Sequence, residues 1–140
     1  MANKFVVATT DMTYVGPGGS SVTAPRKSVS APYQAMNSGF IDVPALAEKD
    51  VSYDIPFGEI KTSATAVRID NNTDVRLCVK IGEAAAPSHT IPPGGSQLIV
   101  SPVVDAGTVP GPLTAIAVVL GAAVTLAGTV DYWVFGDPTA

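Results

Sequence analysis

From Thr65 to Ile81 the chain reads TAVRIDNNTDVRLCVKI, and apolar side chains recur at every second position on both sides of a polar centre. Val67 and Ile69 alternate with Arg68 and Asp70; Val75, Leu77, Val79 and Ile81 alternate with Arg76, Cys78 and Lys80. A period of two puts one set of side chains on one face of an extended strand, whereas a helix needs spacings of three and four. The centre, Asn71-Asn72-Thr73-Asp74, holds residues that tolerate the left-handed backbone and bond their own main chain. It is predicted to be a hairpin turn or a tight connection between strands. Leu77 and its odd-numbered neighbours should face the core, with Arg76 and Lys80 outward.

The rest of the chain has the same character. Val51-Ser-Tyr53-Asp-Ile55-Pro-Phe57 alternates again, and Pro56, which cannot donate to a ladder, should end that strand or place it at an edge. A first strand is expected through Phe5–Val7, another over Phe40–Val43, and a Pro-Gly turn at Ile91–Ser96 should lead into a β-rich run, Gln97–Val104. Residues 16–32, GPGGSSVTAPRKSVSAP, have the composition of an extended arm or long surface loop, able to order on a neighbour. The charge-free tail Leu113–Val130 is long enough to span a membrane, about 18 residues, but Gly121, Thr125, Gly128 and Thr129 interrupt it and it has no basic flank. It is read as two buried strands, 113–120 and 123–135, turning near Gly121. The expected fold is all-β: a single-domain, jelly-roll-like β-sandwich of about eight short strands.

A length of 140 residues suits one domain that buries a core without disulfides or metals. Charged residues make up 14% of the chain, against roughly 25% in ordinary soluble domains, so part of the surface is expected to be covered by other subunits or partners. The formal charge of -4 argues against a nucleic-acid partner, and Arg26-Lys27 is the one adjacent basic pair. Cys78 stands alone, without a disulfide partner or zinc spacing. The N-terminus carries only the short apolar run Phe5–Ala8, too little for a secretory h-region, so retention in the cytoplasm where it is made is expected, with no membrane partner.

Chemistry is hard to find. The single histidine, His89, lies in a predicted loop, and no Gly-x-Ser-x-Gly elbow accompanies it. Arg76 and Lys80 could lower the Cys78 thiol pKa, but a small residue at a second face or interface is the simpler reading. Asp70, Asn72 and Asp74 match the first ligands of an EF-hand loop, yet Val75 stands where its Gly is required and Ile81 where its Glu is required. The other acids are scattered, and neither Gly-Gly-Ser run has the Lys and helix of a phosphate loop. No catalytic residue, cofactor or metal site is predicted.

The run IDNNTDVRLCVKIG, then IPPGGSQLIV, then VTLAGTVDYWVFG resembles a pattern of small virion proteins of tailed bacteriophages, over about residues 65–136. Length, acidity and β-content are similar to the jelly-roll cement, or decoration, proteins among them. That resemblance implies a non-enzymatic protein on the capsid exterior, a homodimer or homotrimer bound to the major capsid protein, with no active-site residues to carry over. Expected interface residues are Val22, Arg26, Lys27 and Val29 of the arm, with Glu83 and His89 of the loop 82–89. Alternatives are another virion component, such as a tail, collar or fibre module, and a carbohydrate-binding or hydrolytic jelly roll with clustered aromatics or paired carboxylates.

Overall fold

The computed structural model describes residues 4–19, 21–33, 35–60, 64–82, 87, 89–100 and 115–136. The strands are β1 (Lys4–Val15), β2 (Ser21–Tyr33), β3 (Ala35–Val43), β4 (Ser52–Asp54), β5 (Ala64–Asn72), β6 (Leu77–Ile81), β7 (His89–Ile91), β8 (Ser96–Val100), β9 (Ile116–Leu120) and β10 (Gly128–Gly136). Strands β3 to β10 make two four-stranded sheets, ordered β3-β10-β5-β8 and β4-β9-β6-β7, while among the described residues β1 and β2 pair with each other alone. Every pairing is antiparallel. Each connection among the eight body strands crosses from one sheet to the other, except β6 to β7, and this order is that of a jelly-roll sandwich.

The core follows the predicted parity. Val67 and Ile69 of β5, Leu77 and Val79 of β6, Val118 and Leu120 of β9, and Val130 and Val134 of β10 are fully buried between the sheets. Val75 is buried and Ile81 half-buried, while Arg76 is exposed and Lys80 partly so. The strand β4 stops two residues before Pro56 and lies at a sheet edge, because a proline ring supplies no donor to extend the ladder.

Three local expectations sharpen or change. Of the two roles open to Asn71–Asp74, the tight strand connection holds and the hairpin does not: β5 and β6 belong to opposite sheets, so the tetrapeptide is an arch over the end of the core. Local turn chemistry serves either role. What decides is that the Asn71 side chain is buried and donates to Val75 O (2.8 Å) and Ile91 O (3.0 Å), spanning the two layers. Its Oδ1 accepts from Thr73 N (3.0 Å), the expected Asx bond.

Residues 16–32 are mostly strand. Gly18 and Gly19, at φ 82 and 83, take the left-handed turn, and Pro25 sits at a bulge, so the breakers concentrate where the ladder is interrupted. The Ser, Thr and Val residues between them are free to pair with β1. Finally, β9 and β10 do not pair with each other, and β9 begins at Ile116. Residues 121–124 instead bond backwards: Gly121 N donates to Arg76 O (2.9 Å) and Val124 N to Ala47 O (2.8 Å). Residues 101–104 and 113–114 lie outside the described residues.

Candidate interaction surface

The β1–β2 hairpin pairs from Lys4–Tyr33 to Val15–Ser21, with a bulge where Thr10 faces Lys27 and Met12 faces Ala24. Its base lies across the outward face of β10, β5 and β8. Val6 stands opposite Ala31 and Ala8 opposite Val29; Ala31 is buried and the other three half-buried, so this parity is the packed one. The Tyr33 ring meets Phe135 edge-on at 5.1 Å between centroids, an arrangement favoured by the ring quadrupoles. The opposite parity is exposed, with Val7 and Val15 its apolar members, Thr9 Oγ1 at 2.9 Å from Ser28 Oγ, and Arg26 paired to Asp11 at 2.9 Å. From Thr9 to Val15 the described side chains are exposed, so the hairpin overhangs the sandwich.

The sheet face beneath carries aromatic and apolar side chains that the core does not use. Register aligns Ser38, Trp133, Arg68 and Leu98 in one row, and Phe40, Asp131, Asp70 and Ser96 in the next. The Arg68 guanidinium sits 4.9 Å above the Trp133 ring, a cation–π contact, and donates through Nε and Nη2 to the two Asp70 oxygens at 3.0 Å each. Ser96 Oγ donates to Asp70 at 2.7 Å. Partial burial pushes the Asp70 carboxyl up, but the bonds from Arg68 and Ser96 and the Arg68 charge outweigh it and hold the group below its ordinary value. The hydrogen bond to Asp70 and the Asp70 charge raise Arg68. Between this face and Val6–Thr9 of β1 runs a groove of about 330 Å³, floored by Arg68, Leu98, Trp133 and Phe135. Met36 and Phe40 lie exposed on the same face.

A second apolar spot lies at an end of the sandwich. Leu46 is 79% exposed in a left-handed backbone (φ 65), and Leu126 is also exposed. Leu46 N donates to Val124 O (3.0 Å), and the Asp74 carboxylate accepts from Thr125 N (3.2 Å) and Leu126 N (3.1 Å), which ties the two segments together. A non-glycine residue at positive φ is strained by about 1–2 kcal/mol, so Leu46 is held there by its surroundings.

The expected interface residues divide. Val22, Arg26, Lys27 and Val29 all lie on β2, with Arg26 engaged by Asp11 and Val29 turned to the packed face. Lys27 is exposed. His89 is exposed on β7, opposite Val79 and in the sheet away from the hairpin. Glu83 lies outside the described residues. Cys78 is half-buried between Thr90 and Val119 in register. Asp70, Asn72 and Asp74 do not converge: they bond Arg68, Asp131 and the Thr125–Leu126 backbone respectively. Sequence reading missed Val6–Thr9 and the Trp133 face, although β10 carried a signal, since apolar residues on both parities of Tyr132–Phe135 mean that both faces are covered.

Among the described residues no group of three His, Cys, Asp or Glu could hold a metal ion, and no helix is long and apolar enough to cross a membrane. Compared with family models, with curated proteins and with solved structures, the chain has no match.

Proposed function

We propose that this chain is a structural virion protein that binds the outside of a major capsid protein shell and stabilises it as a decoration protein. The observation that carries the reading is the placement of exposed large apolar side chains in two separate regions. One is the hairpin with its sheet face, Val7, Met12, Met36, Phe40 and Leu98; the other is the sandwich end at Leu46 and Leu126. A decoration protein needs two contacts, one to its own copies and one to the shell. We assign the first region to self-association and the second to the shell. Each contact adds free energy to the assembled state that the separate subunits lack, and repetition over the shell multiplies it.

The test uses capsids assembled without this chain, from the genome that encodes it. Full-length protein should co-sediment with them and raise their heat resistance, and Leu46→Glu with Leu126→Glu should lower the bound fraction at least tenfold while leaving the protein folded. Failure of the full-length chain to bind any shell overturns the proposal.

A further inference from the structure

The two strands of the hairpin differ sharply as edges. On β2, Ser21–Tyr33, the unpaired edge is broken by Pro25 and Pro32 and carries Arg26 and Lys27, devices that block further strand pairing. On β1, Lys4–Val15, there is no proline, the sequence KFVVATTDMTYV is rich in β-branched residues, and no second described strand pairs with it, so its other edge suits a third strand. That edge forms one wall of the groove, and the floor is the apolar face of Arg68, Leu98, Trp133 and Phe135. An extended segment entering there would gain main-chain hydrogen bonds from β1 and side-chain burial from the floor, the two components of strand addition.

A further observation selects the occupant. Val6, Ala8, Thr10 and Met12 share one parity of β1; Val6 and Ala8 are half-buried against the chain's own sheet, whereas Met12, beyond the sheet, is 63% exposed. The overhang is an apolar face without its support. Charge agrees: residues 9–28 carry Arg26, Lys27 and Asp11, net +1, while the outward sheet face carries Asp42, Asp70, Asp131 and Arg68, net -2.

We infer that β1 pairs antiparallel with β1 of a second copy about a two-fold axis at Ala8, giving the order β2-β1-β1-β2 across the dimer. This rests on the self-association part of the functional reading. A two-fold normal to the ladder keeps faces aligned only if equivalent residues sum to an even number, and an axis at Ala8 sets Val7 opposite Thr9 and Lys4 opposite Met12 of the other copy. Thr10 and Ala8 of each copy then lie opposite Val6 and Ala8 of the other, along its groove, with Met12 opposite Lys4 at the groove's end, and each free β1 edge is filled by an identical one. The contact is isologous and closes at two copies.

The test is a charge exchange across that register. Val7→Lys with Thr9→Lys puts like charges directly opposite in both pairs around the axis, and Val7→Glu with Thr9→Glu does the same with the other sign. Both residues are exposed, so far-UV circular dichroism should match the unaltered chain, and thermal unfolding should match it once the unaltered chain is diluted to the monomer. Light scattering should give the unaltered protein near twice the 14.2 kDa chain mass at micromolar concentration. Each charged variant alone should be monomeric, with dissociation at least tenfold easier, and an equimolar mixture of the two should return to the dimer. Emission from Trp133, the single tryptophan, should shift to the blue on dimerisation in the unaltered protein and in the mixture. A monomeric unaltered chain overturns the pairing, while shell co-sedimentation reports independently on decoration. A dimer that both charged variants retain, or a mixture that stays monomeric, places self-association elsewhere and overturns the β1 contact alone.

Discussion

The sandwich and the hairpin are built from the same kind of sequence, alternating small and β-branched residues, yet they owe their order to different sources. In the sandwich each strand presents one parity to a shared core, and Leu77, Val79, Val118 and Val134 lose all contact with water. In the hairpin one buried side chain, Ala31, is found among the described positions, and half of the ribbon extends past the sheet. A two-stranded ribbon is marginal by itself in water. The difference teaches that ladder pairing alone defines a strand, but only a second layer gives it stability, and the overhanging half has none among the described residues.

The largest effect should come from placing the same charge in each region. Leu77→Asp buries an unpaired carboxylate and should cost more than about 4 kcal/mol, enough to unfold most of the protein. Met12→Asp should change the unfolding free energy of the dissociated monomer by less than about 0.5 kcal/mol. Denaturant titration of the two variants decides it; similar losses would mean that the hairpin is part of the cooperative core.

Next in size is the arch. Asn71 also donates from its main chain to Gly95 O and accepts from Gly94 N, each at 2.9 Å, so it joins the arch to the turn before β8. Asn71→Ala removes the side-chain bonds to the Ile91 carbonyl and the Thr73 amide in a buried site, leaves Val75 O with the Thr73 Oγ1 bond (3.0 Å), and should cost about 3 kcal/mol by chemical denaturation. A loss under about 1 kcal/mol would show that water replaces the side chain and that the arch is held by its backbone alone.

A smaller effect is expected at Gly128, where an added Cβ would lie 2.5 Å from Asn72 O and 2.9 Å from Thr73 Cα. Both are backbone atoms of the arch and cannot rotate away. Gly128→Ala should therefore cost about 1–3 kcal/mol, seen as a lower thermal midpoint. At Gly18 and Gly19 the space is open, so the penalty for alanine there comes from φ alone and falls on the hairpin turn.

The smallest effect belongs to Asp70. Its carboxyl is held below the ordinary value, about 3.9, in the folded state, so its contribution is present above that value and is lost as pH falls through the depressed folded one. Arg68 is more than half exposed, and solvent screening limits the pair to about 0–1 kcal/mol. Asp70→Asn should lower stability by that amount at pH 7, and the gap from the unaltered chain should close in strong acid. A gap that persists there would assign the loss to the Ser96 bond and the packing of Arg68 on Trp133.

The alternation at Val67–Ile69, Val75–Ile81 and Val51–Phe57 was enough to identify strands and the all-β class, because side-chain parity is a local property of an extended backbone, although of the last run only Ser52–Asp54 pairs as strand and Val51 faces water. Pro56 marked an edge for the same local reason. Which strands pair is another matter. Asn71–Asp74 suits a hairpin or an arch equally, and the β10 neighbours β3 and β5 come from distant parts of the chain, so the sheet orders were set by how two layers share one core. The Gly, Pro and Ser residues of 16–32 suggested a loop by composition, while the β1 register turned most of it into a strand. The exposed face at Trp133 and Phe40, and the open edge of β1 above it, exist only once β10, β3 and the hairpin are brought together, and no local pattern contains that distance.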